Sequence, residues 1–478
     1  MDYQQILIFI LAALVIRYFP VSNIRKWLLL TTSIVFLYWL QPLSPIRYLD
    51  FYLPTILLLL TLLSWFIITP PENRYHKENL LALAITFGCL FIINATRWFG
   101  LTGIITASRP PALSFLLISV VGLFLFFWLL RNQEAKTNRW LGIVFLIFFI
   151  ILLVILKSPT LNQWTAKQIG VMQNQSFPSN IRFDIRWLGI SYVIFRLLHT
   201  IKDYQSNRLS GVGLADYMNY VIFFPSLSAG PIDRIQHFSE ELNLDMPLPD
   251  RNNLVSAAWR IFLGLFKKFA LADTLAIIAI HNLNLNQIQN NIWILVSVYA
   301  YAAMIWLDFD GYTDIAIGLG QVFGIKLPEN FNKPYLRPNI KLFWDNWHMT
   351  LTQWFRAYYF NPVSRTLRRK WKTVPVGAMV FFMQMTTMLL IGFWHGVTWN
   401  FAVWGLWHGL GLFVHNRWSA WVEQKQQGTS SPIWQKARLA GGVFLTFHFV
   451  AFGWVWFALP SMKQSLRVFS LLFGGVHG

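Results

Sequence analysis

Two histidines stand in aromatic stretches of an otherwise apolar sequence, and each has a side chain that can move a proton. His395 directly follows the apolar run 374–391 and is flanked by Trp394 and Gly396. Burial favours the neutral imidazole, the form that accepts a proton from a substrate. We therefore predict His395 to be a general base within the membrane, with Gly396 leaving room for a substrate chain. A histidine buried only for packing is the alternative.

The second histidine, His348, belongs to the stretch WDNWHMTLTQWFR at 344–356, where aromatic and aliphatic residues recur at helical spacing. This stretch predicts an amphipathic helix at the membrane interface. Asp345 lies three residues before His348, where its carboxylate can orient the imidazole ring. Taken alone, His348 is more typical of a structural histidine.

Other kinds of active site find little support. The chain has one cysteine and no His-Glu-x-x-His pattern, so we predict no bound metal and no bound cofactor. Asp308, Asp310 and Asp314 lack the spacing of calcium-loop ligands, and we expect them to pair with basic groups or to line a polar cavity. The chain has no Gly-x-Ser-x-Gly elbow, so no covalent serine intermediate is expected.

The elements that must position these groups are membrane helices. Of the 478 residues, 55% are hydrophobic and 12% are charged, against roughly 25% charged in soluble domains. Several apolar runs are long enough to cross a bilayer core, which takes about 20 helical residues. A water-soluble globule is therefore excluded.

The net charge of +19 comes from basic residues that lie between the apolar runs. They form no continuous stripe for a nucleic acid, so the expected partner is the lipid bilayer. The densest group of basic residues is Arg365, Arg368, Arg369, Lys370 and Lys372. This group suits anionic lipid headgroups or a phosphate-bearing donor, and a solvated loop is the alternative.

The hydropathy pattern predicts an all-α polytopic membrane protein with three regions. Residues 1–156 form a scaffold with spans near 5–19, 27–41, 51–69, 80–95, 112–130 and 140–156. Residues 157–184 form a polar connection, and residues 185–478 form a core with spans near 256–282, 291–306, 374–394, 399–416 and 437–458. With re-entrant and interfacial helices we expect about 11–13 membrane segments. The stretch FFPSLSAGP at 223–231 has two prolines, which predict a re-entrant element lining a cavity or, alternatively, a simple loop.

Six stretches together resemble the bacterial branch of the membrane-bound O-acyltransferases (MBOAT), which includes the alginate O-acetylation proteins and the D-alanyl transfer proteins of teichoic acid modification. They stand in family order over about residues 185–478: FFPSLSAGPIDR at 223–234, GLFKKFALAD at 264–273, DFDGYTDIAIG at 308–318, GIKLPENFNK at 324–333, WDNWHMTLTQWFR at 344–356 and FWHGVTWNFAVWGLWHG at 393–409. The resemblance implies an MBOAT-like helical core around a central cavity.

The resemblance also implies roles. His395 matches the family's catalytic histidine, which takes the proton of an acceptor hydroxyl as its oxygen attacks a thioester carbonyl. His348 matches the family's second histidine, which positions or polarises a reactant. The donor would be acyl-CoA or an acyl carrier protein, and the acceptor an extracytoplasmic polysaccharide or an acyl-relay partner protein. The expected substrate contacts are Ser228, Arg234, Asp310, Asp345, Asn346, Trp347, Arg356, Trp394 and Trp399.

Some positions depart from the family pattern. Asn346 stands where relatives usually carry a basic residue, Thr350 and Thr352 replace the usual serines, and Ala357 replaces an acid. These changes bear on the choice of donor or acceptor. We predict an O-acyltransferase of the cell membrane that modifies a surface polysaccharide, with acetyl as the favoured group. D-alanylation of teichoic acid is the alternative reaction, and a lipid or glycan transporter is the alternative class.

Overall fold

The structure, a computed structural model, describes residues 3–19, 22–100, 103–132, 139–175, 183–245, 251–283, 291–425 and 431–474. Every regular element in these ranges is helical. The predicted all-α architecture is therefore confirmed.

The described part of the chain contains twenty α-helices. In the first half of the chain they are α1 (Tyr3–Arg17), α2 (Ser22–Trp39), α3 (Leu49–Ile68), α4 (Lys77–Phe99), α5 (Leu113–Leu129), α6 (Arg139–Lys157), α7 (Pro159–Met172), α8 (Ile190–Gln205), α9 (Leu214–Val221) and α10 (Ile235–Asn243). In the second half they are α11 (Arg251–Leu265), α12 (Asp273–Ile278), α13 (Asn291–Phe323), α14 (Ile340–Trp344), α15 (Met349–Phe355), α16 (Asn361–Lys370), α17 (Val376–His395), α18 (Trp399–Lys425), α19 (Pro432–Ala458) and α20 (Met462–Leu472). Two π-helical turns, Phe266–Ala272 and Arg356–Phe360, continue α11 and α15.

Six of the described helices are long and apolar enough to cross a bilayer: Leu49–Ile68, Lys77–Phe99, Trp140–Lys157, Asn291–Phe323, Val376–His395 and Pro432–Ala458. The helices α1 and α5 are apolar but shorter. Only 11% of the window in α6 is buried by protein, so its apolar side chains face the surroundings, as they would in lipid. The other predicted spans coincide with the helices α2, α11 to α12 and α18, and their crossing of the membrane stays a prediction.

The chain divides into two compact units. The first comprises Met1–Ile261 and Ile315–Pro328, and the second comprises Phe262–Asp314 and Glu329–Gly478. The predicted regions 1–156, 157–184 and 185–478 rest on sequence character instead of contacts, and that division remains a prediction. The polar connection is partly helical, because α7 lies within it, and its residues 176–182 lie outside the described part of the chain.

In the first unit, a buried guanidinium holds the irregular segment 223–231. Arg196 donates from Nη1 to the carbonyl oxygens of Tyr220 and Val221, at 3.0 and 2.8 Å. From Nη2 it donates to the carbonyl oxygen and the hydroxyl of Ser226, at 2.9 and 2.7 Å. These bonds satisfy backbone oxygens that a straight helix would pair internally. The segment forms a short 3₁₀ turn, Phe224–Ser226, instead of a continuous helix. Its re-entrant course in the membrane stays a prediction.

In the second unit, α13 continues well beyond its predicted end at residue 306 because its carboxylates are paired. Lys267 Nζ lies 2.7 Å from Asp310 Oδ2 and 2.6 Å from Asp314 Oδ2, and Lys268 pairs with Asp308. Of the two expected outcomes, pairing with basic groups or lining a polar cavity, the pairing is observed for all three acids. Pairing removes the cost of isolated charges at this depth, so the helix need not end before them.

The helices α17 and α18 pack closely through glycines. A Cβ atom on Gly392 would lie 2.3 Å from the carbonyl oxygen of Phe401, and one on Gly405 would lie 2.6 Å from the carbonyl oxygen of Met388. Apolar side chains gain little by leaving lipid, so close backbone approach supplies the van der Waals contact that joins membrane helices.

We expect Gly405→Ala to destabilise the protein by about 1–3 kcal/mol, because the atoms that the new methyl group meets are backbone and cannot turn away. Gly441→Ala in α19 is the matched control, since a Cβ atom there meets nothing within 4 Å. Thermal unfolding in detergent measures the difference. Equal midpoints for the two variants would show that the α17–α18 contact tolerates a side chain.

Candidate active site

His348 lies at a sharp break between two short helices. The helix α14 ends at Trp344 and α15 begins at Met349, and His348 between them has a φ of +41°. The predicted single amphipathic helix over 344–356 is therefore wrong. A left-handed backbone costs a non-glycine residue about 1–2 kcal/mol, and such strain tends to persist where a side chain must be aimed. The imidazole is 2% exposed.

Asn330 orients His348. Its Oδ1 lies 2.9 Å from His348 Nδ1 and also accepts from the Thr350 hydroxyl at 2.9 Å and the Thr350 backbone N–H at 3.4 Å. Because a backbone N–H points at this atom, it is the amide oxygen, and His348 Nδ1 carries the proton. The predicted role of Asp345 as the orienting group is wrong: Asp345 Oδ1 instead lies 2.5 Å from Arg356 Nη2.

Burial lowers the pKa of His348, which lies outside the candidate spans. The ring is therefore neutral at neutral pH, and its tautomer depends on Asn330. We expect Asn330→Ala to lower kcat by about tenfold, because the ring loses the hydrogen bond that orients it. Such a bond contributes about 1.4 kcal/mol, which corresponds to a tenfold change. Thr350→Val, which removes a second donor to the same amide oxygen but leaves the bond to His348, should change kcat less. Equal losses in the two variants would contradict the orienting role.

His395 is the last residue of α17 and stands half-buried in a box of aromatic rings. Its ring centroid lies 4.6 Å from that of Trp394, 4.8 Å from Phe457, 5.5 Å from Trp404 and 6.1 Å from Phe401. These residues come from α17, α18 and α19, and their rings keep water from much of the imidazole surface.

The residue after His395 serves packing. A Cβ atom on Gly396 would lie 2.5 Å from the ring of Phe401. The expectation that Gly396 leaves room for a substrate chain is therefore wrong, because the ring of Phe401 occupies that side. Trp399 is 79% exposed at the first turn of α18, and its contact with a substrate stays a prediction.

Trp394 links the two histidines. Its ring centroid lies 4.6 Å from that of His395 and 6.3 Å from that of His348. Trp347, next to His348, packs 5.0 Å from Trp454. The second unit thus brings together His395, His348, Trp394 and Trp347, four of the predicted site residues, in one aromatic cluster.

A cavity of about 760 Å³ lies within the second unit beside this cluster. It reaches Ile391, one turn before His395 in α17, and Thr352, one turn after His348. Neither histidine lines it. Its polar and charged lining residues are Asn339, Lys341, Asp345, Thr352, Arg356, Asn361, Gln384, Thr387, His415, Asn416, Ser419 and Glu423.

The remaining predicted contacts have other surroundings. Asn346 donates from Nδ2 to the carbonyl oxygen of Leu342 at 2.8 Å, and Asp310 is paired with Lys267. In the first unit, Ser228 lines a cavity of about 370 Å³, and Arg234 is exposed before α10. Substrate contact by these four residues stays a prediction.

Sequence reasoning missed three residues of this region, Asn330, Trp404 and His408. All lie in the quoted stretches, Asn330 in GIKLPENFNK and the other two in FWHGVTWNFAVWGLWHG. A helical turn separates Trp404 from His408, a spacing that places both on one face of α18. This spacing could have identified Trp404 and His408 as a pair from the sequence.

A profile of the MBOAT, membrane-bound O-acyltransferase family, matches residues 112–452, more than half of the chain. The chain belongs to this family. It is therefore a multi-pass acyltransferase of the cell membrane, and membership in an enzyme family argues against the transporter alternative. The match begins within the predicted scaffold, so family similarity extends further towards the N-terminus than the six stretches indicated.

Curated relatives within the MBOAT family fall into more than one kind. The chain is 28% identical to the teichoic acid D-alanyltransferase of Streptococcus thermophilus, over 69% of this chain and 78% of that protein. It is 31% identical to the probable alginate O-acetylase AlgI of Pseudomonas putida, over 60% of this chain and 55% of that protein. It is 33% identical to the peptidoglycan O-acetyltransferase of Helicobacter pylori, over 54% of this chain and 46% of that protein.

Proposed function

We propose that this MBOAT protein transfers an acyl group, with acetyl favoured, from a thioester to a hydroxyl of a cell-surface or exported polysaccharide, and that His395 is the general base. The observation that carries the proposal is the position of His395: it ends α17 inside an aromatic box, and Trp394 connects it to an oriented second histidine. The similarity to two kinds of bacterial O-acetylating relatives supports the choice of acetyl.

In the proposed reaction, an imidazole nitrogen of His395 takes the proton of the acceptor hydroxyl while the hydroxyl oxygen attacks the thioester carbonyl carbon. The tetrahedral intermediate then collapses, the carbon–sulfur bond breaks, and the departing thiolate receives the proton from His395. His348, held by Asn330, positions a reactant. The surrounding rings limit the access of water, which would otherwise hydrolyse the thioester.

The cavity of the second unit is the proposed route of the donor. Both acyl-CoA and acyl carrier proteins carry the acyl group on a long phosphopantetheine arm, which requires an elongated space. Lys341 lines the cavity and suits the phosphate of that arm, whereas Arg356, which also lines it, is paired with Asp345. The route continues past Trp344, whose ring lines the cavity and lies 5.8 Å from Trp404, the neighbour of His395. The acceptor arrives from the other side of the membrane.

D-alanylation of teichoic acid is the second candidate. The observation that favours it is the length of the similarity: the D-alanyltransferase of S. thermophilus aligns with 69% of this chain, more than the 60% aligned with the alginate O-acetylase. On this alternative the same histidines act, and the donor is a D-alanyl carrier protein.

Ester analysis of surface polymers tests the proposal. Polymers from a deletion strain, and from the same strain complemented with wild-type or His395→Ala protein, are treated with mild base. We expect acetate release to be restored by the wild-type protein alone, with equal amounts of both proteins in the membrane. Restored release of D-alanine would decide for the second candidate. Restoration by His395→Ala would contradict the role of His395.

A further inference from the structure

A third histidine, His408 in α18, is fully buried and hydrogen-bonds to nothing in the described part of the chain. It is 0% exposed, and neither Nδ1 nor Nε2 has a partner there. Buried polar groups are nearly always hydrogen-bonded, since an unmet one costs about 1–3 kcal/mol. A phenylalanine or leucine would fill the same space without that cost, so packing alone does not account for an imidazole.

Two further polar groups near His408 are also buried without a hydrogen-bond partner in the described part of the chain. The ring of His408 lies 5.0 Å from that of Trp404 and 5.2 Å from that of Trp344. The indole Nε1 atoms of Trp344 and Trp404 are buried and likewise have no hydrogen-bond partner among the described residues. The cluster formed by His408, Trp344 and Trp404 therefore contains several polar atoms without a hydrogen-bond partner among the described residues.

This cluster contacts both the cavity and the proposed base. Trp344 lines the cavity, and the ring of Trp404 lies 5.5 Å from that of His395. This series of ring contacts connects the cavity to His395, and His408 touches both tryptophans.

The helix α19 packs closely against the imidazole of His408. A Cβ atom on Gly453 of α19 would lie 2.8 Å from His408 Nε2, so glycine is what allows α19 to approach with the ring in place. His408 is thus closely fitted on this side, where the α19 backbone packs against its Nε2.

We propose that His408 and the indole N–H groups of Trp344 and Trp404 form a binding site for the uncharged polar part of the acyl-donor arm, an amide or the thioester carbonyl. The rings around His408 carry no charge, so a charged group would lose its hydration without compensation. A purely apolar chain would leave the polar atoms of the three residues without hydrogen bonds. An amide or a carbonyl is uncharged and also forms hydrogen bonds, so it suits this site. This inference rests on the proposed function, because it assumes that the donor arm enters from the cavity.

The test compares two replacements of His408 in the full-length protein. His408→Phe keeps an aromatic ring and removes the nitrogens, whereas His408→Gln keeps a hydrogen-bonding group near Nε2. The matched control is His448→Phe in α19, a histidine whose Nδ1 is already bonded to the carbonyl oxygen of Phe444 at 2.7 Å. The probe is S-acetonyl-phosphopantetheine, a keto thioether that carries the arm shared by both donor classes and has no thioester bond to cleave.

We expect His408→Phe to weaken binding of this probe by about tenfold, the equivalent of one lost hydrogen bond. His408→Gln should retain most of the affinity, and His448→Phe all of it. A purely structural role predicts the opposite order, because phenylalanine fills the site better than glutamine. Wild-type affinity in His408→Phe, or better binding by His408→Phe than by His408→Gln, would overturn the inference.

The result also separates this inference from the proposed function. A wild-type protein that does not bind the probe contradicts the proposed donor, and with it the site at His408. A wild-type protein that binds the probe, with His408→Phe unaffected, contradicts the site at His408 alone. Because binding is measured without transfer, the role of His395 does not enter the comparison.

Discussion

Replacement of His395 by alanine should lower the rate of acyl transfer by about 10²–10⁴-fold, the usual contribution of a positioned general acid–base. The protein should remain folded, because His395 is the last residue of α17 and is only half-buried. Truncation removes the proton acceptor and leaves the glycine contacts between α17 and α18 unchanged.

The rate is measured as release of free thiol from the thioester donor by purified protein in lipid nanodiscs, with acceptor present. His448→Ala is the matched control, since it truncates a histidine in the neighbouring helix α19. A transfer rate for His395→Ala that equals the rate of this control would show that another group takes the proton.

Replacement of Lys267 by methionine should destabilise the protein by about 3 kcal/mol, the low end of the cost of breaking a buried ion pair, because it removes a cation from two partly buried carboxylates. Lys267 lies between Asp310 and Asp314, whose side chains are 14% and 11% exposed. Both carboxylates would lose the same cation, and methionine has a similar length but no charge.

The neighbouring residue provides the control. Lys268 is 18% exposed and pairs with a single carboxylate, that of Asp308, which is 45% exposed. Its removal leaves one largely solvated charge, and a pair open to solvent contributes about 0–1 kcal/mol. Lys268→Met should therefore shift the thermal midpoint in detergent much less than Lys267→Met. Equal shifts would indicate that the two lysines are in equivalent surroundings, which the structure contradicts.

Hydropathy was sufficient to locate most helices, because in a membrane the ends of a helix follow the ends of its apolar run. The predicted span 51–69 corresponds to Leu49–Ile68, and 374–394 corresponds to Val376–His395. The prediction was wrong where charges inside an apolar context are paired from a distance. The helix α13 reaches Phe323 because lysines some 40 residues earlier in the chain neutralise its carboxylates, and local hydropathy contains no trace of such a partner.

The site was predictable in part. The position of His395 at the end of an apolar run located the centre of the site, and the resemblance identified His348. The left-handed backbone at His348 could not be read from sequence, since no residue type there requires it. Its partner Asn330 comes from a different stretch of the chain, so a neighbour such as Asp345 was the natural but wrong choice. Long-range hydrogen bonds of this kind follow only from the fold.

The most direct test of the central claim is a structure of the protein with S-acetonyl-phosphopantetheine bound. The account predicts that the arm occupies the cavity of the second unit, passes Trp344, and places its ketone carbonyl carbon beside His395, with room for a hydroxyl oxygen that contacts this carbon and lies about 3 Å from an imidazole nitrogen. A bound analogue whose carbonyl lies elsewhere, with the aromatic box around His395 still closed, would contradict it.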